Sequence, residues 1–147
     1  MIEWISRPFE ALSLHELYAI LQLRSEVFVV EQHCYYQDVD GKDACSHHLM
    51  GWENGVLMAY ARLLPPGVSY AEQSIGRVVL KKEARNSGLG KVLMEERIRM
   101  REKIFGRQTI KIGAQFHLKK FYELLGFESC SEIYDDAGID HIEMIRG

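Results

Sequence analysis

Arg85-Asn86-Ser87-Gly88-Leu89-Gly90-Lys91 stands between an apolar run, Ile75 to Leu80, and an amphipathic pattern from about Gly88 to Phe105. Its glycines let backbone come close to a ligand, and the start of a helix offers unpaired N–H groups and a partial positive charge. A phosphate placed there is held without a side-chain base. Lys81, Lys82, Arg85 and Lys91 add positive charge nearby.

Spacing separates the phosphate ligands. A Walker A loop needs Gly where Arg85 stands and Ser or Thr where Val92 stands, so ATP binding by that route fails. The dinucleotide fingerprint needs Gly where Leu93 stands, which disfavours a nicotinamide cofactor.

What is left, Arg-x-x-Gly-x-Gly behind a strand, resembles the pyrophosphate loop of the GCN5-related N-acetyltransferases. A second segment, Gln115-Phe116-His117-Leu118 followed by Phe121-Tyr122-Glu123-Leu124-Leu125-Gly126-Phe127, is similar to that family's acceptor-side helix, in the right order and at the right separation. Leu23-Arg24-x-x-Val27-Phe28-Val29-Val30-Glu31-Gln32, Tyr36-Gln37-Asp38-Val39-Asp40-Gly41, Gly76-Arg77-Val78 and Gly113-Ala114-Gln115 resemble its ElaA-type branch. The resemblance runs over nearly the whole chain.

The resemblance implies a mixed α/β fold, a central mostly antiparallel sheet with two splayed parallel strands and flanking helices. It implies acetyl-CoA as cosubstrate, lying between strands that end at Leu80 and near Gly113. The backbone of Val78, Val79 and Leu80 would pair with the pantetheine arm, and Arg85, Asn86, Ser87, Gly88, Leu89, Gly90 and Lys91 would hold the pyrophosphate. Gln115 stands near the place where the wider family often has an Asn that contacts the pantetheine. The implied reaction is direct acetyl transfer to a primary amine of a small molecule or peptide.

Tyr122 matches the family's tyrosine beside the CoA sulfur. A phenol of pKa near 10 is protonated at neutral pH and can donate to a thiolate of pKa roughly 8 to 9. Periodicity alone would make it a core aromatic. In that case the same loop could serve a non-catalytic acyl-CoA-binding or regulatory module.

The base is less legible, because Gly76-Arg77-Val78 occupies the strand where many members carry Glu. Glu31, His48 and His141 are the candidates, since His titrates near neutral pH and Glu31 ends a helix on the acceptor side. Arg24, Arg62 and Arg77 lie in apolar stretches, where a guanidinium needs a partner. Either they pair internally with Asp38, Asp40 or Glu31, or they bind a carboxylate or phosphate on the acceptor. On the second reading Arg24, Arg77, Tyr36 and His141 contact the acceptor.

Around these motifs the pattern is one of alternating elements. Ser13-Leu14-His15-Glu16 has capping-box spacing and predicts a helix from about Ser13 to Glu31, behind a short strand at Ile2 to Ile5. A polar, irregular segment covers His33 to Ser46. Strands at His48 to Trp52 and Val56 to Leu64 flank Asn54-Gly55, a tight hairpin turn. Leu89, Val92, Leu93, Met100 and Ile104 are the expected buried stripe of the helix after the loop. A strand at Thr109 to Ile112, a helix at His117 to Leu125 and strands at Phe127 to Tyr134 and His141 to Ile145 complete the chain. Cys130 is expected to be packed in its strand.

The 147 residues suit one domain, and 47% apolar content supplies a core. A net charge of -3 has the wrong sign for covering the phosphates of a duplex, so no nucleic-acid partner is expected. No stretch reaches the about 20 apolar residues of a membrane helix, and the first residues lack signal-peptide features, so no membrane partner and a cytoplasmic location are expected. Three cysteines without C-x-x-C suggest reduced thiols. His33, Cys34, Cys45, His47 and His48 lack zinc-finger spacing, and an EF-hand alignment on Gly41 puts Tyr36 at the first ligand, so no metal is expected. A homodimer through the last strands is compatible with the pattern.

Overall fold

Ser13 opens the first helix, and the computed structural model, which describes residues 1–147, shows both bonds of the capping box. Ser13 Oγ accepts from the Glu16 N–H at 3.0 Å, and the Glu16 carboxylate accepts from the Ser13 N–H at 2.8 Å. Helix α1 covers Leu14–Arg24, shorter than the expected span. Ser25–Glu31 continues it with the wider winding of a π-helix. Val27, Val29 and Val30 are β-branched and weaken the α-helical preference of that run, and π-turns tend to mark functional positions.

Strands β1 (Glu3–Pro8), β2 (His47–Glu53), β3 (Val56–Leu64) and β4 (Ser74–Leu80) form an antiparallel sheet in chain order. Asn54 and Gly55 turn the β2–β3 hairpin with φ of 51° and 78°, the positive values that favour this dipeptide. In the second sheet β8 (Ile139–Arg146) takes β5 (Ile110–Gln115) on one side and β6 (Glu128–Ser129) on the other, and β7 (Tyr134–Asp136) also pairs with it. The strand expected over Phe127 to Tyr134 is therefore two short pieces. Between them Ser131 Oγ accepts from the Glu143 N–H at 2.9 Å, and Cys130 is exposed rather than packed.

The sheets touch through one parallel bridge, Gln73 to Ile110, where the Lys111 N–H donates to the Gln73 carbonyl at 2.9 Å. Past it β4 and β5 share no ladder.

Helices α2 (Leu89–Ile104) and α3 (Lys119–Leu124) cover one face of both sheets, burying Leu93, Met94 and Tyr122 against Ala61, Ile75 and Ile112. On the other face α1 and the π-turn bury Ile20, Leu23 and Phe28 against Met50, Tyr60 and Val79. The buried stripe of α2 is Leu93, Met94, Arg97, Ile98 and Arg101, while Val92 is exposed. Two inward arginines turned the helix away from the purely apolar stripe that periodicity selects.

Candidate active site

The cleft begins in β4. Tyr60 of β3 pairs with Val79 and Arg62 pairs with Gly76, so Arg77 and Val78 together oppose Ala61, a β-bulge. Arg77 sits at φ 51°, a left-handed conformation inside a strand. With β5 diverging, the outer backbone edge of β4 has no strand partner and is free to bond a ligand.

The loop behind it is shaped for an anion. Lys82–Ala84 forms a short turn, Asn86 and Gly88 take φ of 62° and 79°, and α2 starts at Leu89 with no side chain capping its first N–H groups. Ser87 Oγ instead donates to the Ala84 carbonyl at 2.6 Å. Space around Gly88 is open, whereas a Cβ on Gly90 would stand 3.6 Å from Leu80 and 3.7 Å from Phe121. A side chain at Gly90 would meet only ordinary contacts, so it is Gly88, at positive φ, that the turn requires. Lys82 and Lys91 are exposed beside the loop.

Tyr122 lies on α3, 6% exposed, edge-on to Phe121 and Phe127. Val78, Leu80 and Leu89 pack against the same apolar cluster. The Tyr122 hydroxyl has no hydrogen-bond partner within the chain, and burial pushes its pKa up to about 12. It is a protonated donor at neutral pH. At the end of β5, Gln115 Nε2 donates to Gln32 Oε1 at 3.2 Å, linking the second sheet to the residue after the π-turn. The expected cofactor residues from Val78 to Lys91 therefore form one continuous strand and loop, with Tyr122 in the apolar cluster beside it.

The acceptor-side residues are placed differently. His48 is fully buried, its Nδ1 2.6 Å from Tyr60 Oη and its Nε2 2.9 Å from the Asp43 carbonyl. A carbonyl can only accept, so Nε2 donates to it and Nδ1 accepts from the phenol. Burial pushes the His48 pKa down, keeping it neutral. Both nitrogens are occupied inside the core, which corrects the expectation of a catalytic base.

Glu31 faces the loop at Arg85. Its carboxylate grips Arg85 with both oxygens, and hydrogen bonding from Arg85 holds its pKa below the usual carboxylate range. Arg85 Nη2 also donates to the Leu80 carbonyl at 3.2 Å. Glu31 is thus an ion-pair partner of Arg85, with both carboxylate oxygens engaged.

The expectation that Arg24 and Arg77 bind an anionic acceptor is corrected as well, because every guanidinium of the set is engaged. Arg24, fully buried, reaches Asp38 at 2.9 Å and Asp43 at 2.7 Å. Arg62 reaches Asp40 at 2.6 Å and Asp43 at 3.0 Å, and Arg77 reaches Asp38 at 2.8 Å and Asp40 at 3.2 Å. Tyr36 joins them, donating to Asp38 at 3.1 Å with its ring under the Arg77 guanidinium; burial pushes its pKa up to about 12. Asp43 escaped the sequence reading. Three arginines in apolar strands and helices beside three aspartates in six residues was the available signal.

His141 pairs across from Gln115, with its ring 5.9 Å from that of Tyr134 and its Nδ1 2.8 Å from the Ile139 carbonyl. Tyr70 and Tyr134, also missed, converge on Gly113: a Cβ there would lie 3.0 Å and 2.9 Å from their hydroxyls. Neither residue carries a motif, so only the fold brings them together.

Comparison with known proteins fits this geometry. A family profile described as "Acetyltransferase (GNAT) domain" matches residues 16–146. The protein ElaA of Escherichia coli K12 is 41% identical over 148 aligned positions, covering 99% of this chain and 97% of that one. A crystal structure of an acyl-CoA N-acyltransferase from Pseudomonas aeruginosa superposes with a TM-score of 0.96 at 44% identity, covering all of both chains. That of Escherichia coli ElaA gives 0.94 at 40%, again over both whole chains. The chain belongs to the GNAT acetyltransferase family, in its ElaA-like branch.

Proposed function

We propose that the protein transfers an acetyl group from acetyl-CoA directly to a primary amine of a small molecule or peptide. The observation that carries this reading is the protonated, unpartnered Tyr122 hydroxyl in the apolar cluster against which Val78, Leu80 and Leu89 pack, next to a helix start with no side-chain cap.

The N–H groups at the start of α2, with Lys82, Lys91 and Arg85 around them, suit a pyrophosphate. The free edge of β4 at Val78 to Leu80 offers N–H and C=O groups to the pantetheine amides, and Gln115 at the end of β5 would add a side-chain amide. Bound acyl-CoA supplies an activated thioester. The neutral amine nitrogen bonds to the acyl carbon and the C–S bond breaks. Tyr122 donates its proton to the departing thiolate, water removes the proton the amine loses, and Tyr122 is reprotonated from solvent.

The test follows CoA release from acetyl-CoA over a broad panel of amines. Amine-dependent release, with N-acetylated product by mass spectrometry, supports the reading. Tight CoA binding with no release over the panel would favour a non-catalytic acyl-CoA-binding module.

A further inference from the structure

We infer, resting on the acyl-CoA reading above, that Arg77 is a positioning residue: clamped by Asp38 and Asp40, it holds the β4 bulge that aims Val78 to Leu80 into the cleft.

A residue other than glycine in the left-handed region is strained and persists only where its surroundings dictate it. At Arg77 the surroundings are four contacts. Nε is 2.8 Å from Asp38 Oδ1, and Nη2 lies 3.1 Å from the Asp38 carbonyl and 3.2 Å from Asp40 Oδ2. The guanidinium carbon stands 5.3 Å from the centre of the Tyr36 ring.

Those partners are themselves fixed. Asp38 accepts from Arg24 at 2.9 Å and from Tyr36 at 3.1 Å. Asp40 accepts from Arg62 at 2.6 Å and from the Lys42 N–H at 3.0 Å. Arg62 lies on β3 directly across from Gly76, the residue before Arg77. The bulge is therefore gripped from the neighbouring strand and from the 38–43 segment at once. Arg77 and Asp40 are the outer members of this network, at 20% and 21% side-chain exposure. The charge of Arg77 is used within the protein, and its effect on a ligand passes through the backbone that follows it.

Arg77→Gly separates the two properties, since glycine tolerates the positive φ but makes no ion pair. Hydrogen exchange without ligand reads the strand alone: the amides of Val79 to Lys81, the last bonded to the Met58 carbonyl at 2.8 Å, should exchange faster by about tenfold, while those of Ile112 and Met144 stay unchanged. In the amine-dependent assay the KM for acetyl-CoA should rise about tenfold with kcat within about threefold of wild type. Asp40→Asn should move both readouts the same way by less, and it serves where Arg77→Gly fails to fold. Unchanged exchange at Val79 to Lys81, equal acceleration in β8, or a fall in kcat at constant KM would overturn the proposal. If the wild type neither binds CoA nor turns over, the acyl-CoA reading fails, and the exchange data still decide whether Arg77 holds the bulge.

Discussion

Glu31 and Arg85, 54 residues apart, meet in a two-pronged ion pair, with 2.9 Å between Arg85 Nη2 and Glu31 Oε1. The π-turn is thereby fastened to the loop proposed to hold the pyrophosphate, and Lys81 to Glu26 at 3.3 Å makes a second fastening. Both pairs are part-exposed.

If the loop holds a pyrophosphate as proposed, Glu31 competes with it for Arg85. Arg85→Ala should weaken CoA binding by at least about tenfold, the worth of one charge-assisted hydrogen bond. Glu31→Gln should tighten it, because the guanidinium is released. Isothermal titration at low and moderate salt checks both. Thermal unfolding of Glu31→Gln should shift little, since an exposed pair contributes below about 1 kcal/mol.

Tyr122→Phe should lower kcat about 100-fold at nearly constant KM for acetyl-CoA, as expected for loss of a positioned acid. The hydroxyl has no partner in the chain, so stability should change by less than about 1 kcal/mol. Steady-state kinetics with the best amine, alongside urea unfolding, separates the two effects. Wild-type kcat in this variant would remove Tyr122 from the mechanism.

Asp43 accepts from Arg24 at 2.7 Å and from Arg62 at 3.0 Å, both inside the protein. Asp43→Ala leaves two buried guanidinium groups short of a partner and should cost about 3–5 kcal/mol in urea unfolding. Intact activity with native stability would contradict it.

The same region makes the fold acid-sensitive. Burial opposes ionisation of Asp40 and Asp43, but hydrogen bonds and charge from Arg62 and Arg24 outweigh it, so both carboxyls titrate below their usual value of 3.8. Their contribution is present above that value and is lost as pH falls through the lowered folded-state values. Burial pushes His48 the other way from a paired histidine, below its usual 6.5, so the unfolded chain takes up its proton first. Stability should therefore already decline as pH drops below about 6.5 and fall again below about 4. Urea unfolding at a series of pH values from neutral to acidic checks both steps. His48→Gln should flatten the upper one.

Gly113→Ala pushes a methyl group to within 2.9 Å of Tyr134 Oη and 3.0 Å of Tyr70 Oη. The expected loss is about 1–3 kcal/mol, and removing both hydroxyls by Phe substitution should recover most of it. Full additivity of the three changes would show that the hydroxyls are not what crowds Gly113.

The turn from Arg85 into α2 was legible because its signals are local. Gly88 supplies a positive φ within seven consecutive residues, and the spacing of Gly88 and Gly90 sets that run apart from the Walker A and dinucleotide patterns. The hairpin at Asn54-Gly55 and the cap at Ser13 were legible for the same reason. The acceptor side was not, because its arrangement depends on pairs far apart in sequence. His48 and Glu31 have the chemistry of a base on paper, and only the fold shows that Asp43, Tyr60 and Arg85 already occupy them. The arginines read correctly as needing partners, yet Arg97 and Arg101 of α2 sit buried on main-chain carbonyls without a carboxylate. That arrangement broke the apolar stripe on which the helix reading relied.

β8 has a consequence for how the molecule comes to exist. β5, β6 and β7 each find their ladder partner in Ile139–Arg146 and none of them pairs with another. During synthesis the first sheet has all four of its strands once Leu80 has emerged. The second can close none of its ladders until the last of its strands is made. One wall of the cleft is therefore complete well before the other, and until then the edge of β5 is open to pairing with another chain.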